Sequence, residues 1–143
     1  MVRINLINPK YLADQHLVAE YVEILMLLGY VKKHPILDEK KVPKKYCLGK
    51  GHMIFFKNKL MYLKKRHELL KKEMKKRRFA TEKKIVLSKF PRKLINDWKP
   101  LKTDKDIIKK RISWKIMKKP NYYRYYGEKK TKKFWKEMIE NGI

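Results

Sequence analysis

Glu20 and Glu23 stand in a stretch, Tyr11 to Val31, that holds no lysine or arginine. On a helix their spacing puts the two carboxylates about one turn apart. A carboxyl group among apolar side chains is harder to ionise, because burial disfavours its charged form. Such a group can shuttle protons near neutral pH. Spacing alone favours the plainer alternative, an amphipathic helix whose acids lie in water or pair with lysines elsewhere. Further along, Arg111 and Lys115 sit at i and i+4, so one helix face would offer both cations to adjacent phosphates. Charge by itself accounts for them equally well as a solvated basic stripe. The run Asn121-Tyr122-Tyr123-Arg124-Tyr125-Tyr126-Gly127 sets four tyrosines around an arginine, a surface suited to stacking on bases and holding phosphate. The same rings could pack the C-terminal segment onto the core, and both uses are expected.

Other candidates are weaker. Gly49-Lys50-Gly51 precedes a helical stretch, and a glycine-bearing helix N-terminus can hold phosphate. Without the rest of the Walker pattern it reads as a turn. His16, His34, His52 and His67 lack metal-ligand spacing, so no metal is expected. No residue pattern implies a cofactor. Cys47 is the only cysteine, which excludes an internal disulfide and weakly fits a reducing compartment. No nucleophile-elbow serine is present.

Four helices would position these groups. Asn8-Pro9 reads as a turn leading into a helix from Leu12 to about Lys33. Leu17, Tyr21, Ile24 and Leu28 form its buried stripe, with His16, Glu20 and Glu23 on the neighbouring one. Pro35 and Pro43 bound an irregular loop. A second helix is expected from about His52 to Arg77, burying Phe55, Leu60, Leu63, Leu70 and Met74 and exposing a lysine-rich face. Residues 79–102 are broken by Pro91 and Pro100. Thr103 or Asp104 would cap a third helix ending near Lys118, and Pro120 stops it. Glu128 to Glu140 reads as a short fourth helix, with Phe134 and Met138, and Trp135 and Ile139, at i and i+4.

The chain has 143 residues, 43% of them hydrophobic, enough for one domain over 1–143 with 128–143 as a C-terminal extension. Forty Lys and Arg against 14 acids give a net charge of +26. Such a charge repels itself and attracts a polyanion; nucleic acid is the first expectation, since neutralised phosphates release counterions. A lysine-rich proteome would explain part of the excess. The first ten residues lack the apolar run of a signal peptide. Glu20 and Glu23 argue against a transmembrane span in the most apolar stretch. The basic residues are dispersed, and no long amphipathic anchor suggests a membrane surface.

Taken together, several motifs carry a resemblance. They are Arg3-Ile4-Asn5-Leu6; Leu12-Ala13-Asp14-Gln15-His16-Leu17-Val18-Ala19-Glu20-Tyr21 with Glu23; Lys33-His34; Leu48-Gly49-Lys50-Gly51-His52; Phe55-Phe56 with Lys59-Leu60; Leu63 with Lys65-Arg66; and Tyr123-Arg124-Tyr125-Tyr126-Gly127. In this order they resemble the phage endonuclease V family of pyrimidine-dimer DNA glycosylases and abasic-site lyases. The likeness runs over roughly residues 2 to 127 and is weak at 79–102.

The resemblance implies an all-α, compact single domain: three main helices crossed by an N-terminal segment, plus a short C-terminal helix. It implies that Met1 is removed and that the α-amine of Val2 attacks C1′ of a damaged nucleotide. The base leaves, an imine to the sugar forms, and β-elimination cuts the strand on the 3′ side. Glu23 matches the family's catalytic glutamate. Arg3 and His16 match residues lining the site, and Arg111 and Lys115 match phosphate-facing positions. Tyr123 and Arg124 fall in the DNA-binding aromatic ending, with Arg124 where the phage enzyme has lysine. The expected partner is damaged double-stranded DNA, bound by a monomer in the cytoplasm at the nucleoid. A non-catalytic basic nucleic-acid-binding protein is the alternative, and charge alone does not separate the two.

Elementary chemistry supports the amine. An α-amine titrates near 7.7–8, against about 10.4 for lysine, so a useful fraction is neutral and nucleophilic. Nearby cations such as Arg3 lower it further. Two departures matter. Val2 stands where the phage enzyme has threonine, which costs a hydroxyl but keeps the backbone nitrogen. Val22 and Met26 stand where it has two arginines flanking the glutamate. Their absence creates the charge gap, should shrink the salt dependence of binding, and should raise the pKa of Glu23.

Overall fold

Helical periodicity in the first third of the chain produces its longest element, α1 (Asp14–Lys33). The structure, a computed structural model, describes residues 3–141. After α1 come α2 (His52–Phe56), α3 (Leu60–Lys76), α4 (Lys102–Lys118), the two-residue strands β1 (Arg124–Tyr125) and β2 (Glu128–Lys129), and α5 (Lys132–Asn141). The fold is all-α apart from that small hairpin, as the sequence leads one to expect.

Asn8 and Pro9 form the expected turn. The Asn8 side chain accepts from Lys10 N–H at 3.0 Å, and one 3-10 turn follows before α1 starts at Asp14 rather than Leu12. Leu17, Tyr21, Ile24 and Leu28 are buried, joined by Leu27 and Val31. This stripe faces α3, whose Leu60, Leu63, Leu70 and Met74 belong to the same core. Burying a large aliphatic side chain contributes roughly 1.5–3 kcal/mol, so this pairing is the main scaffold.

The segment before α1 crosses this scaffold. Ile4, Leu6 and Ile7 are buried. Ile4 is held at both ends: its N–H donates to His52 Nε2 at 2.8 Å, and its carbonyl accepts from Tyr46 OH at 2.8 Å. Arg66 donates to the Ile7 carbonyl at 2.6 Å. Leu6 is forced to a φ of 60° inside a turn closed by Ile7 N–H and Asn5 carbonyl, at 2.6 Å. A bulky residue in that left-handed region is strained, and persists because its surroundings over-determine it.

Three expectations need correction. The single helix from His52 to Arg77 is interrupted at Lys57–Lys59. Asn96 fills the break, donating from its side chain to the Asn58 carbonyl at 2.9 Å and accepting from Tyr62 N–H at 3.3 Å. Helix-breaking is therefore tertiary, supplied by a partner from the 79–102 stretch. The cap of α4 is Leu101, not Thr103 or Asp104; Asp104 sits in the first turn and accepts from Leu101 N–H at 2.8 Å. That is the reach-back half of a capping box. Finally, Glu128 pairs with Tyr125 in the hairpin, so the last helix begins at Lys132, where Thr131 Oγ1 accepts from Phe134 N–H at 3.1 Å.

The hairpin turn, Tyr126 and Gly127, has φ values of 52° and 78°. Positive φ at both central residues is the two-residue turn that matches strand twist. Tyr126 tolerates it because Asp14 accepts from the N–H groups of Tyr126 and Gly127 at 3.0 and 2.7 Å. Asp14 also pairs with Arg77 at 2.9 Å, and Arg77 lies under the rings of Tyr125 and Tyr126. Trp135 and Ile139 are buried in the same core as Ile4, so the tail packs inward.

Candidate active site and nucleic-acid interface

The N-terminal segment, the first turns of α1, the middle of α4 and the start of the aromatic run enclose a pocket of about 430 Å³. Arg3, Gln15, His16, Glu23, Arg111, Lys115, Tyr122 and Tyr123 line it. Six residues singled out in the sequence therefore meet in one place: Arg3, His16, Glu23, Arg111, Lys115 and Tyr123. Arg124 does not line the pocket. It opens β1 half-buried, with its backbone N–H donating to Gln15 Oε1 at 3.0 Å. Val2 lies outside the described residues.

The two glutamates separate. Glu20 is fully buried and accepts from Arg66 Nε and Nη2 at 2.7 and 2.9 Å. It is thus neither in water nor paired with a lysine, and it is absent from the pocket. Glu23 is half-buried and faces the pocket. Burial pushes its carboxyl pKa up, and the nearby Glu20 carboxylate adds to this. The Arg3 charge and a hydrogen bond from the Arg3 backbone N–H pull the other way without reversing it. The rise matches the expectation from sequence, though burial is its leading cause.

His16 is the second polar group of the pocket. Its ring lies 4.8 Å from that of Tyr123, and its Nδ1 is buried without a hydrogen-bond partner among the described residues. Burial, then the Lys115 and Arg3 charges, push its pKa down to about 4. At neutral pH it is an uncharged imidazole. Arg3 is lowered by burial and by Arg111. Lys115 is lowered by loss of hydration, then by Arg111, Arg3, Lys118 and Lys119. Cations that depress one another in this way form a site that an anion would relieve.

Residues not assigned a role from sequence do the positioning. Gln15 donates from Nε2 to the Tyr122 carbonyl at 2.8 Å while receiving Arg124 N–H, so α1 holds the aromatic run against the pocket. His52 and Tyr46 hold the N-terminal segment. Gly49-Lys50-Gly51 is a 3-10 turn, as read from sequence. No local pattern could have pointed to the Gln15 and His52 partnerships, because each spans 48 or more residues. Beside the pocket, Val22 and Met26 are 47% and 57% exposed. Within the charge gap these two side chains leave an exposed apolar patch next to Glu23. No helix of the described residues is long and apolar enough to cross a membrane.

Comparison with protein families matches residues 1–86 to the model described as pyrimidine dimer DNA glycosylase. The match takes in Arg3, His16 and Glu23 and stops before Arg111, Lys115 and the hairpin.

Proposed function

Because the chain belongs to the pyrimidine dimer DNA glycosylase family, we propose that it both removes damaged pyrimidines and nicks the resulting abasic strand through its own N-terminal amine. After loss of Met1, the neutral Val2 amine forms a bond to C1′ as the bond from C1′ to the base breaks, and the base leaves with the bonding electrons and takes up a proton from water. The amine then gives up its proton, and the sugar ring opens as O4′ is protonated, leaving an imine. Loss of a proton from C2′ expels the 3′ phosphate, which cuts the strand. Water finally releases the unsaturated sugar and restores the amine.

The observation that carries this reading is the Glu23 carboxyl group beside the backbone N–H of Arg3, in a pocket whose lining also includes the cations Arg3, Arg111 and Lys115. Arg3 is covalently next to Val2, and one peptide link spans about 3.8 Å between Cα atoms. A carboxyl group with raised pKa holds its proton more readily and can pass it to O4′, then take one back from C2′. Neutral His16 supports the same site without adding charge. Arg111 and Lys115 suit the phosphates either side of the reacting sugar. In this reading 1–143 acts as one domain, as a monomer, on double-stranded damaged DNA at the nucleoid.

Borohydride added during reaction with an abasic duplex tests the route. Reduction of the imine should join DNA to residue 2, read by mass after proteolysis. Strand cleavage without an adduct rules out the imine, and salt-sensitive binding without cleavage supports the non-catalytic alternative. Ultraviolet-irradiated duplex run in parallel reports lesion choice. With Val22 and Met26 beside Glu23, cleavage of abasic DNA should exceed cleavage at dimers.

A further inference from the structure

Trp114 projects from α4 with about half its surface in solvent, at 51% exposure. An indole is costly to leave exposed, and this one is not idle surface. The Arg111 guanidinium lies 4.7 Å and the Lys118 ammonium 4.8 Å from its ring. A groove of about 420 Å³ runs past it, lined also by Lys115, Lys119, Tyr122 and Tyr123. That groove shares Arg111, Lys115, Tyr122 and Tyr123 with the pocket that holds Glu23, so the two are continuous. Tyr122 is itself 60% exposed. Arg111 Nε is buried with no hydrogen-bond partner among the described residues. The chemistry proposed for the adjoining pocket needs neither Trp114 nor Lys118.

We propose that this groove is a second nucleotide subsite, in which Trp114 stacks on an unpaired base next to the reacting nucleotide while Arg111, Lys118 and Lys119 hold its phosphate. Two exposed rings supply a π-face that any base can use. The cations around them exclude a basic partner and match the phosphodiester chain. Phosphate contact would draw Arg111 and Lys118 off the indole and give the Arg111 guanidinium the acceptor it lacks. The subsite commits the protein to strand that is locally unpaired beside the lesion. It rests on the adjoining pocket being the DNA site.

The test is titration of intrinsic tryptophan fluorescence with a thymidine tetranucleotide, alongside a phosphodiester chain of equal length without bases. The tetranucleotide should quench the wild type and the base-free chain should not. W114A should bind the tetranucleotide about 5- to 160-fold more weakly, since one stacked base contributes roughly 1–3 kcal/mol. W114F, which keeps an aromatic face, should stay within about threefold of wild type. Equal binding by W114A, or equal quenching by the base-free chain, overturns the subsite. The wild-type borohydride adduct is scored separately. If it is absent while the quenching pattern holds, the imine mechanism fails and the subsite stands; if it forms while W114A binds normally, the reverse is true.

Discussion

The backbone N–H of Ile4 donates to Nε2 of His52 across 2.8 Å, a bond that holds the N-terminal segment at Ile4 and makes Nε2 an acceptor. His52 Nδ1 faces the Cys47 carbonyl, also at 2.8 Å. Nδ1 must therefore carry the proton and Nε2 must accept, which is the neutral ring. Burial lowers the His52 pKa in keeping with this. Ile4 directly follows Arg3, so the anchor holds the backbone that brings Arg3 to the pocket.

His52→Phe keeps the ring volume and deletes both bonds. A misplaced reacting group can cost about a hundredfold. Single-turnover cleavage of an abasic duplex by H52F should slow by about that factor, with DNA affinity little changed. An unchanged rate would show that the Ile4 anchor has no part in the chemistry.

Glu20 and Glu23 should respond in opposite ways to the same substitution. Glu20→Gln leaves the buried Arg66 cation without its counter-charge, and breaking a buried pair costs about 3–5 kcal/mol. E20Q should melt well below the wild type. Glu23→Gln should lose roughly 10²- to 10⁴-fold in cleavage, the range for removing a general acid–base group. Its stability should not fall. A carboxyl with raised folded-state pKa opposes folding more as pH rises through that value, so E23Q should melt at or above wild type at neutral pH and match it in acid. Melting scans at two pH values with single-turnover rates separate the two roles.

His16 makes the protein acid-sensitive in a defined window. Its folded-state pKa of about 4 lies below the unfolded value of 6.5. Between these limits the unfolded chain takes up a proton that the folded pocket refuses. Stability is full above 6.5 and falls as pH drops towards 4, by about 3–4 kcal/mol at most from this one group. His16→Gln should flatten that part of the melting-temperature profile. An H16Q profile parallel to wild type would place the acid sensitivity elsewhere, with His52 and His67 the next groups to examine because burial lowers both.

Arg111 and Lys115 line the pocket from α4, and each is expected to displace one counterion from DNA. Replacing both with glutamine should lower the slope of log affinity against log salt by roughly two. Binding at low salt should weaken for any duplex, damaged or intact. A slope that does not move would mean that neither side chain meets phosphate.

Periodicity alone determined that the chain is helical and which stripe of α1 turns inward, though not where each helix begins or breaks, because the spacing of apolar residues reports directly on the side of a helix that leaves water. The excess of cations pointed to an anionic partner, and motif order determined the family. Beyond that point the decisive partners lie far apart in sequence. Whether Glu20 or Glu23 meets a cation depends on Arg66 arriving from α3. Whether the helix breaks at Lys57–Lys59 depends on Asn96, and whether Tyr126 can turn depends on Asp14. Only packing brings such groups together, since a hydrogen bond or an ion pair is a property of distance in space, and no local pattern encodes that distance.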